Sequence, residues 1–222
     1  MKLSEQVIKS IKEYNSGDFD SALLHASISI DATARAFFGK DPIGKAEYKA
    51  LIKEYLWIIE PIMGNGVNLE KTIWENVEID NGYGKIIPAP TFEDIVYHIF
   101  RCSHAHGKEV PKNYELLEPE NGKLRWEVGG GTIRMPKLII PALLAISVLS
   151  KINANVITSG DDFFPLGQER FIIKDWWGKE KDLKLFLANK IPNPTRVDLS
   201  GLSNLNPSSK GFSIEIIPPT WS

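Results

Sequence analysis

The longest apolar stretch of the chain runs from Leu138 to Leu149 and is interrupted only by Pro141 and Ser147. It is too short to cross a bilayer, which takes about 20 apolar residues in helical form. It is also apolar nearly all round, so it has no face to show to water. Such a segment reads as a core helix continuing to Ile152, and the rest of the chain must supply its walls. Proline is poorly tolerated inside a helix but well tolerated at its first position, which puts the expected start at Pro141.

The chain has the material for those walls. Its 222 residues, 43% hydrophobic and 24% charged, can bury a core in one large or two small domains. That composition excludes disorder over most of the length. Net charge is −2, from 26 basic and 28 acidic side chains. Proteins that coat nucleic acid by counterion release are far more basic, so any nucleic acid is met at a local site. The single cysteine, Cys102, excludes an intrachain disulfide and with it a secreted disulfide scaffold. The first ten residues are amphipathic and lack the apolar run of a signal peptide. A cytoplasmic protein with no membrane segment is the expectation.

Helical periodicity dominates the first hundred residues. Val7, Ile8, Ile11 and Tyr14 make one stripe between Ser4 and Tyr14. A second helix begins at Asp18 or Asp20 and ends near Phe38, with Gly39 beyond its last turn. Its alanines allow close approach of a neighbour, and Asp31 and Arg35 are spaced to pair along its surface. Tyr48, Leu51, Ile52, Tyr55, Leu56 and Ile59 share a face of a third helix limited by Pro61. Leu69 to Val77 reads as another. Thr91-Phe-Glu-Asp94 resembles a capping box and opens a helix through Ile95, Val96 and Ile99, with Gly107 as its stop.

The pattern changes after Val110. Leu124–Val128, Gly129-Gly-Gly131 and Thr132–Met135 read as a β-hairpin. Beyond the apolar helix, Arg170–Lys174 suggests a strand, Lys179–Asn189 a short helix, and Phe212–Ile217 a final strand after a Pro, Ser, Asn and Gly-rich loop. The division expected is a helical domain over residues 1–155, with the hairpin near 124–135 inserted in it, and a mixed appendage over 156–222 packed on it.

Three of the four histidines fall between His98 and His106, with Arg101 among them. Arginine presents a planar, permanently charged fork suited to phosphate. Histidine exchanges a proton near neutral pH. Together they meet the needs of phosphodiester cleavage without a metal: one group takes a proton from the attacking hydroxyl and another stabilises charge on the phosphorus oxygens.

Arg101, four residues, then His106-Gly107 at the end of an amphipathic helix resembles the signature of HEPN domains, and the resemblance covers roughly residues 1–155. It implies a mainly α, antiparallel helical bundle. It implies a metal-independent, cofactor-free RNA endonuclease of the toxin–antitoxin or defence kind. Arg101 and His106 would be catalytic, with Ser103, His104, Cys102 and Asp31 in support. Cys102 stands where active members usually carry Asn or another polar residue. Residues five apart on a straight α-helix differ by about 140° and rise about 7.5 Å, so either the helix ends before His106 or a second copy supplies the partner. The resemblance favours a homodimer with a shared cleft, RNA or a nucleotide as ligand, and an antitoxin-like protein as a further partner. The alternative of another class is a non-catalytic HEPN-like module that binds nucleotide, RNA or protein.

Plainer readings stand beside these. A cation in the last turn followed by glycine is an ordinary helix end. His98, Cys102 and His106 at i, i+4 and i+8 are too spread along one axis to close a tetrahedral zinc site. His25 reads as a satisfied, buried histidine. Asp161-Asp162 reads as a solvated turn, and Trp176-Trp177 as packing.

Overall fold

The computed structural model describes residues 2–75, 77–80, 85–102, 114–191, 194–201 and 211–216. The apolar segment forms helix α6, Ile139–Leu149, and every one of its residues is buried. It starts two positions before the expected Pro141, because proline in the first turn gives up an N–H that has no intrahelical acceptor anyway. Its walls are α1 (Leu3–Ser16), α2 (Phe19–Phe38), α4 (Leu56–Ile62) and strand β7 (Phe163–Leu166). Ser147, the one polar side chain on α6, sits in a buried network. Its hydroxyl donates to Ser29 Oγ at 3.1 Å and accepts from Thr33 at 3.0 Å, while Asn153 donates to Thr33 at 3.0 Å and to the Ser147 carbonyl at 2.8 Å. Ser29 and Thr33 lie on α2, so the network fixes how α2 lies along α6.

α2 is capped as its sequence suggests. Asp18 accepts from the Ser21 N–H at 3.0 Å, and Gly39 closes the far end in the left-handed region. The expected third helix is divided. α3 (Lys45–Glu54) stops at Tyr55, whose φ of −107° and ψ of 13° leave the helical region, and α4 restarts at Leu56 and carries Pro61 in its last turn. Proline opposes a continuous ladder upstream of itself.

Leu69–Val77 is not a helix, because its backbone donors are taken from outside. Glu60 Oε1 accepts from Leu69 at 2.9 Å, Ser200 Oγ from Ile73 at 2.8 Å, and the Pro90 carbonyl from Trp74 at 3.1 Å. Trp74 instead stacks on Trp126 at 5.4 Å and 11°, tying this segment to the sheet.

Short strands make up the remainder. β1 (Gly66–Val67) pairs with β9 (Arg196–Val197), β2 (Glu78–Asp80) with β3 (Ile86–Pro88), and β7 with β8 (Glu169–Ile172). The hairpin forms as expected from β5 (Leu124–Gly129) and β6 (Thr132–Pro136), with Gly130 and Gly131 both at positive φ in the turn. It is the centre of a four-stranded sheet ordered β10-β5-β6-β4. β4 (Tyr114–Leu117) runs parallel to β6, and β10 (Gly211–Ile216) runs antiparallel to β5. Leu124, Trp126, Val128, Ile133 and Met135 face the core.

The chain is thus a mixed α/β protein, which corrects the expectation of a mainly α HEPN-like antiparallel bundle with an inserted hairpin and a mixed α/β C-terminal appendage. The physical reason lies in the hairpin. Its alternating apolar face is too small to stand alone, and it is completed by strands from both sides in sequence. A further helix, α7, spans Glu180–Lys190. Among the described residues no helix is long and apolar enough to cross a membrane.

Gly178 shows how tightly the parts after α6 are joined to it. Its N–H donates to the Val148 carbonyl at 2.8 Å. Its φ is +71°, and a Cβ there would lie 2.5 Å from Ala154 Cα. Gly178→Ala is expected to lower unfolding stability by about 2 kcal/mol or more, read as a shift of the urea midpoint. Gly130→Ala, also at positive φ but with open space around it, should cost only about 1 kcal/mol.

Candidate functional site

The segment expected to be an ordinary α-helix is a short α turn, α5 (Phe92–Ile95), that widens into a π-helical turn over Val96–Cys102. Thr91 caps it by accepting from the Asp94 N–H at 3.3 Å. The Asp94 carboxylate takes the Thr91 hydroxyl at 3.0 Å rather than reaching back to a backbone donor. The i→i+5 spacing of a π turn is rare and is concentrated at functional sites. It also brings residues five apart nearer to one face than an α-helix does.

Arg101 lies at the end of this turn and points back at α2. Its Nε and Nη2 both donate to Asp31 Oδ1, at 3.0 and 2.7 Å. Its Nη1 donates to Tyr97 Oη at 3.3 Å. The guanidinium carbon lies 5.2 Å from the ring centroids of both Tyr48 and Tyr97, a favourable cation–π placement. Burial works against its charge, but the Asp31 hydrogen bonds and charge outweigh it and raise its pKa above the ordinary arginine value. Asp31 is shared: its Oδ2 accepts from Arg35 at 2.6 Å. The expected Asp31–Arg35 pair therefore exists, and Asp31 also faces Arg101. Arginine has five N–H donors, and among the described residues these contacts leave one on Nη1 and one on Nη2. The arginine side chain keeps 24% of its surface exposed.

Beside this clamp lies a second group that sequence reasoning missed. Lys45 and Lys49, one turn apart on α3, both bind Asp94 Oδ1, at 3.2 and 2.9 Å. Burial opposes ionisation of Asp94, yet Lys49, Lys45 and Thr91 together hold its carboxyl below the ordinary value. His98 Nε2 is 4.0 Å from the same oxygen. Burial, and then the charge of Lys45, push the His98 imidazole down to about 4, with Asp94 opposing. His98 is therefore neutral at pH 7. The one signal that could have found this group was the i, i+4 spacing of the two lysines opposite the Thr91–Asp94 cap.

Of the residues singled out from sequence, Asp31 and Arg101 are brought together, and Cys102 is the last residue of the π turn. Ser103, His104 and His106 lie outside the described residues. Among the described residues no cluster of His, Cys, Asp and Glu could hold a metal ion. His25 meets Gln6 Oε1 at 2.7 Å. Asp161 is exposed and paired with Lys174 at 2.7 Å, and Trp177 is packed with its Nε1 donating to Thr158 at 3.0 Å.

The neutral His98 has a consequence for stability. An unfolded histidine titrates near 6.5, and His98 in the fold titrates at about 4. Between those values the unfolded chain binds more protons, so stability rises with pH there. The contribution is complete above about 6.5 and is lost as pH falls through 4, on the order of 3 kcal/mol. His98→Gln is expected to flatten the stability curve across this window in urea titrations at stepped pH. It should leave the fall below pH 4, where Asp94 protonates, in place.

The family model described as Rv1289 matches residues 2–202. The matched stretch takes in the whole Asp31–Arg101 and Asp94 cluster and stops short of β10. Over 182 residues the chain is 27% identical to the "Uncharacterized protein Rv1289" of Mycobacterium tuberculosis (strain ATCC 25618 / H37Rv), covering 80% of this chain and 84% of that protein. The "Uncharacterized protein Mb1320" of Mycobacterium bovis (strain ATCC BAA-935 / AF2122/97) gives the same 27% over 182 residues. No solved structure matches. The extent of the family match, over nine-tenths of the chain's length, settles the assignment: the chain belongs to the Rv1289 family.

Proposed function

We propose that the chain is a metal-independent RNA endonuclease of the HEPN-like kind, acting in the cytoplasm as a homodimer. The observation that carries the reading is the state of Arg101. Its guanidinium is locked by Asp31 and Tyr97, while among the described residues a donor remains on each terminal nitrogen. An arginine that stabilises charge on a phosphorane must be held before the substrate arrives, since the benefit comes from dipoles and charges that need not reorganise.

In the reaction the ribose 2′-hydroxyl attacks the adjacent phosphorus. The new O2′–P bond forms as the P–O5′ bond breaks, and a cyclic phosphate and a 5′-hydroxyl result. His106 takes the proton from the 2′-hydroxyl or gives one to O5′, water completing the other transfer, and Arg101 binds the non-bridging oxygens. Ser103 and His104 support these groups, and Asp31 positions Arg101. A dimer brings two such helix ends to one cleft, with an antitoxin-like protein as the further partner.

A second reading also draws on the clamp. A guanidinium already paired to a carboxylate attracts an anion less strongly than a free one. This favours a non-catalytic module that binds nucleotide, RNA or protein.

Cleavage of a mixed RNA pool in the presence of a chelator separates the two. Wild type is expected to cut. Arg101→Ala and His106→Ala should each cut at least 100-fold more slowly, on the order of the effect of losing one acid–base or oxyanion group. Asp31→Asn should lose about tenfold in kcat with little change in KM, and Asp31→Glu should recover part of it. Binding without cleavage by the wild type would select the second reading, and cleavage unchanged in the Arg101 and His106 variants would remove this site from the reaction.

A further inference from the structure

We infer that Lys45 and Lys49 form a second phosphate subsite beside Arg101, so that the site takes two neighbouring phosphates of one RNA strand rather than a single nucleotide. The inference rests on Arg101 binding phosphate, as proposed above.

Charge is out of balance at this spot. Asp94 supplies one negative charge and, through Oδ1, meets two ammonium groups at 3.2 and 2.9 Å. Asp31 likewise meets two guanidinium groups, at 2.7 Å from Arg101 and 2.6 Å from Arg35. Asp41 meets Arg35 at 3.4 Å and is 70% exposed. Among the described residues of these ion pairs, four cations thus face two sheltered carboxylates and one solvated one, in a chain whose net charge is −2. The excess of positive charge is local.

The lysines are also accessible. Each ammonium has three donors, and the Asp94 contact uses one of each. Lys45 keeps 45% of its side-chain surface exposed and Lys49 26%, while Asp94 keeps 12%. The cations face outward and the neutralising carboxylate lies beneath them. A purely structural ion pair needs only one lysine.

Their spacing from Arg101 is set by a shared ring. Lys45 Nζ lies 5.9 Å and the Arg101 guanidinium 5.2 Å from the centroid of Tyr97. Both cationic centres therefore sit beside the same ring. Tyr97 is itself fixed by the Arg101 hydrogen bond and by edge contact with Tyr48 at 5.7 Å. Arg101 and Lys45 thus border one ring, and Lys49 joins Lys45 at Asp94, so a strand whose phosphate is held by Arg101 has lysines beside it for the next one.

The test is fluorescence anisotropy with a labelled oligouridylate, with uridine monophosphate as competitor, over a range of salt concentrations. Lys45→Gln/Lys49→Gln is made together with Asp94→Asn so that no buried carboxylate is left uncompensated, and thermal melting confirms that each variant is folded. Relative to Asp94→Asn alone, the triple variant should bind the oligonucleotide about tenfold more weakly. Its salt slope should fall by about 0.7, the value for one phosphate of a single strand that is no longer neutralised. Asp94→Asn alone should bind more tightly than wild type, which a structural role for the lysine pair does not predict. Uridine monophosphate should compete only weakly. Unchanged affinity and slope in the triple variant, no oligonucleotide binding by the wild type, or competition by the monophosphate as strong as by the oligonucleotide would each overturn the inference. The nuclease reading fails separately: an expected binding pattern without any cleavage sinks that reading and leaves the lysine subsite standing, whereas cleavage dependent on Arg101 with lysine-independent binding does the reverse.

Discussion

A helix with no polar face has to be surrounded, and that requirement organises this molecule. α6 buries every residue from Ile139 to Leu149. It is walled by α1, α2, α4 and β7, and the turn at Gly178 is bonded to its C-terminal end. At roughly 1.5–3 kcal/mol for each large apolar side chain removed from water, no single surface contact competes with this arrangement. What burial alone leaves undetermined is how each wall helix is rotated and shifted. For α2 that is decided by Ser147, whose buried hydroxyl donates to Ser29 and accepts from Thr33 beside Asn153.

That register decides what α2 shows on its other side. With Ala26, Ser29, Ile30, Thr33 and Ala34 inside, Asp31 and Arg35 fall toward the π turn. Asp31 then meets Arg101 from 70 residues away in sequence. The chain of cause therefore runs from an apolar segment, through a buried hydroxyl network, to the orientation of one carboxylate and the guanidinium it holds. The Tyr48 and Tyr97 rings add a cation–π seat, so the arginine is held by charge, hydrogen bonds and ring faces at once.

Much of this was legible where the signal is local. The apolar run marks α6, Asp18 and Gly39 bracket α2, and the glycines after Val128 mark the hairpin. Arg101 stood out because arginine and histidines crowd one helix end. The remainder depends on contacts distant in sequence. Leu69–Val77 has the residues of a helix, but its donors go to Glu60, Pro90 and Ser200. β4 is four residues long and exists only by parallel pairing with β6. The π turn is not readable from periodicity, since Val96, Ile99 and Phe100 suit either kind of helix. The lysine pair on α3 went unremarked, because nothing near it in sequence announces that Asp94 and Tyr97 will stand opposite. The bundle expectation failed for the same reason: strands completed from distant segments leave little trace in a helix-rich sequence.

The composition of the four-stranded sheet also bears on when the molecule can be finished. β5 finds one partner, β6, across a two-residue turn, but its other edge is closed by β10, which follows α7 in the chain. During synthesis the hairpin emerges well before that closing strand, and contacts of long sequence separation form late. Until then one flank of β5 carries open donors and acceptors next to the apolar face of Leu124, Trp126 and Val128. The nascent chain thus passes through a period in which this edge of β5 is waiting for β10. A chain shortened before Gly211 would remain in that state.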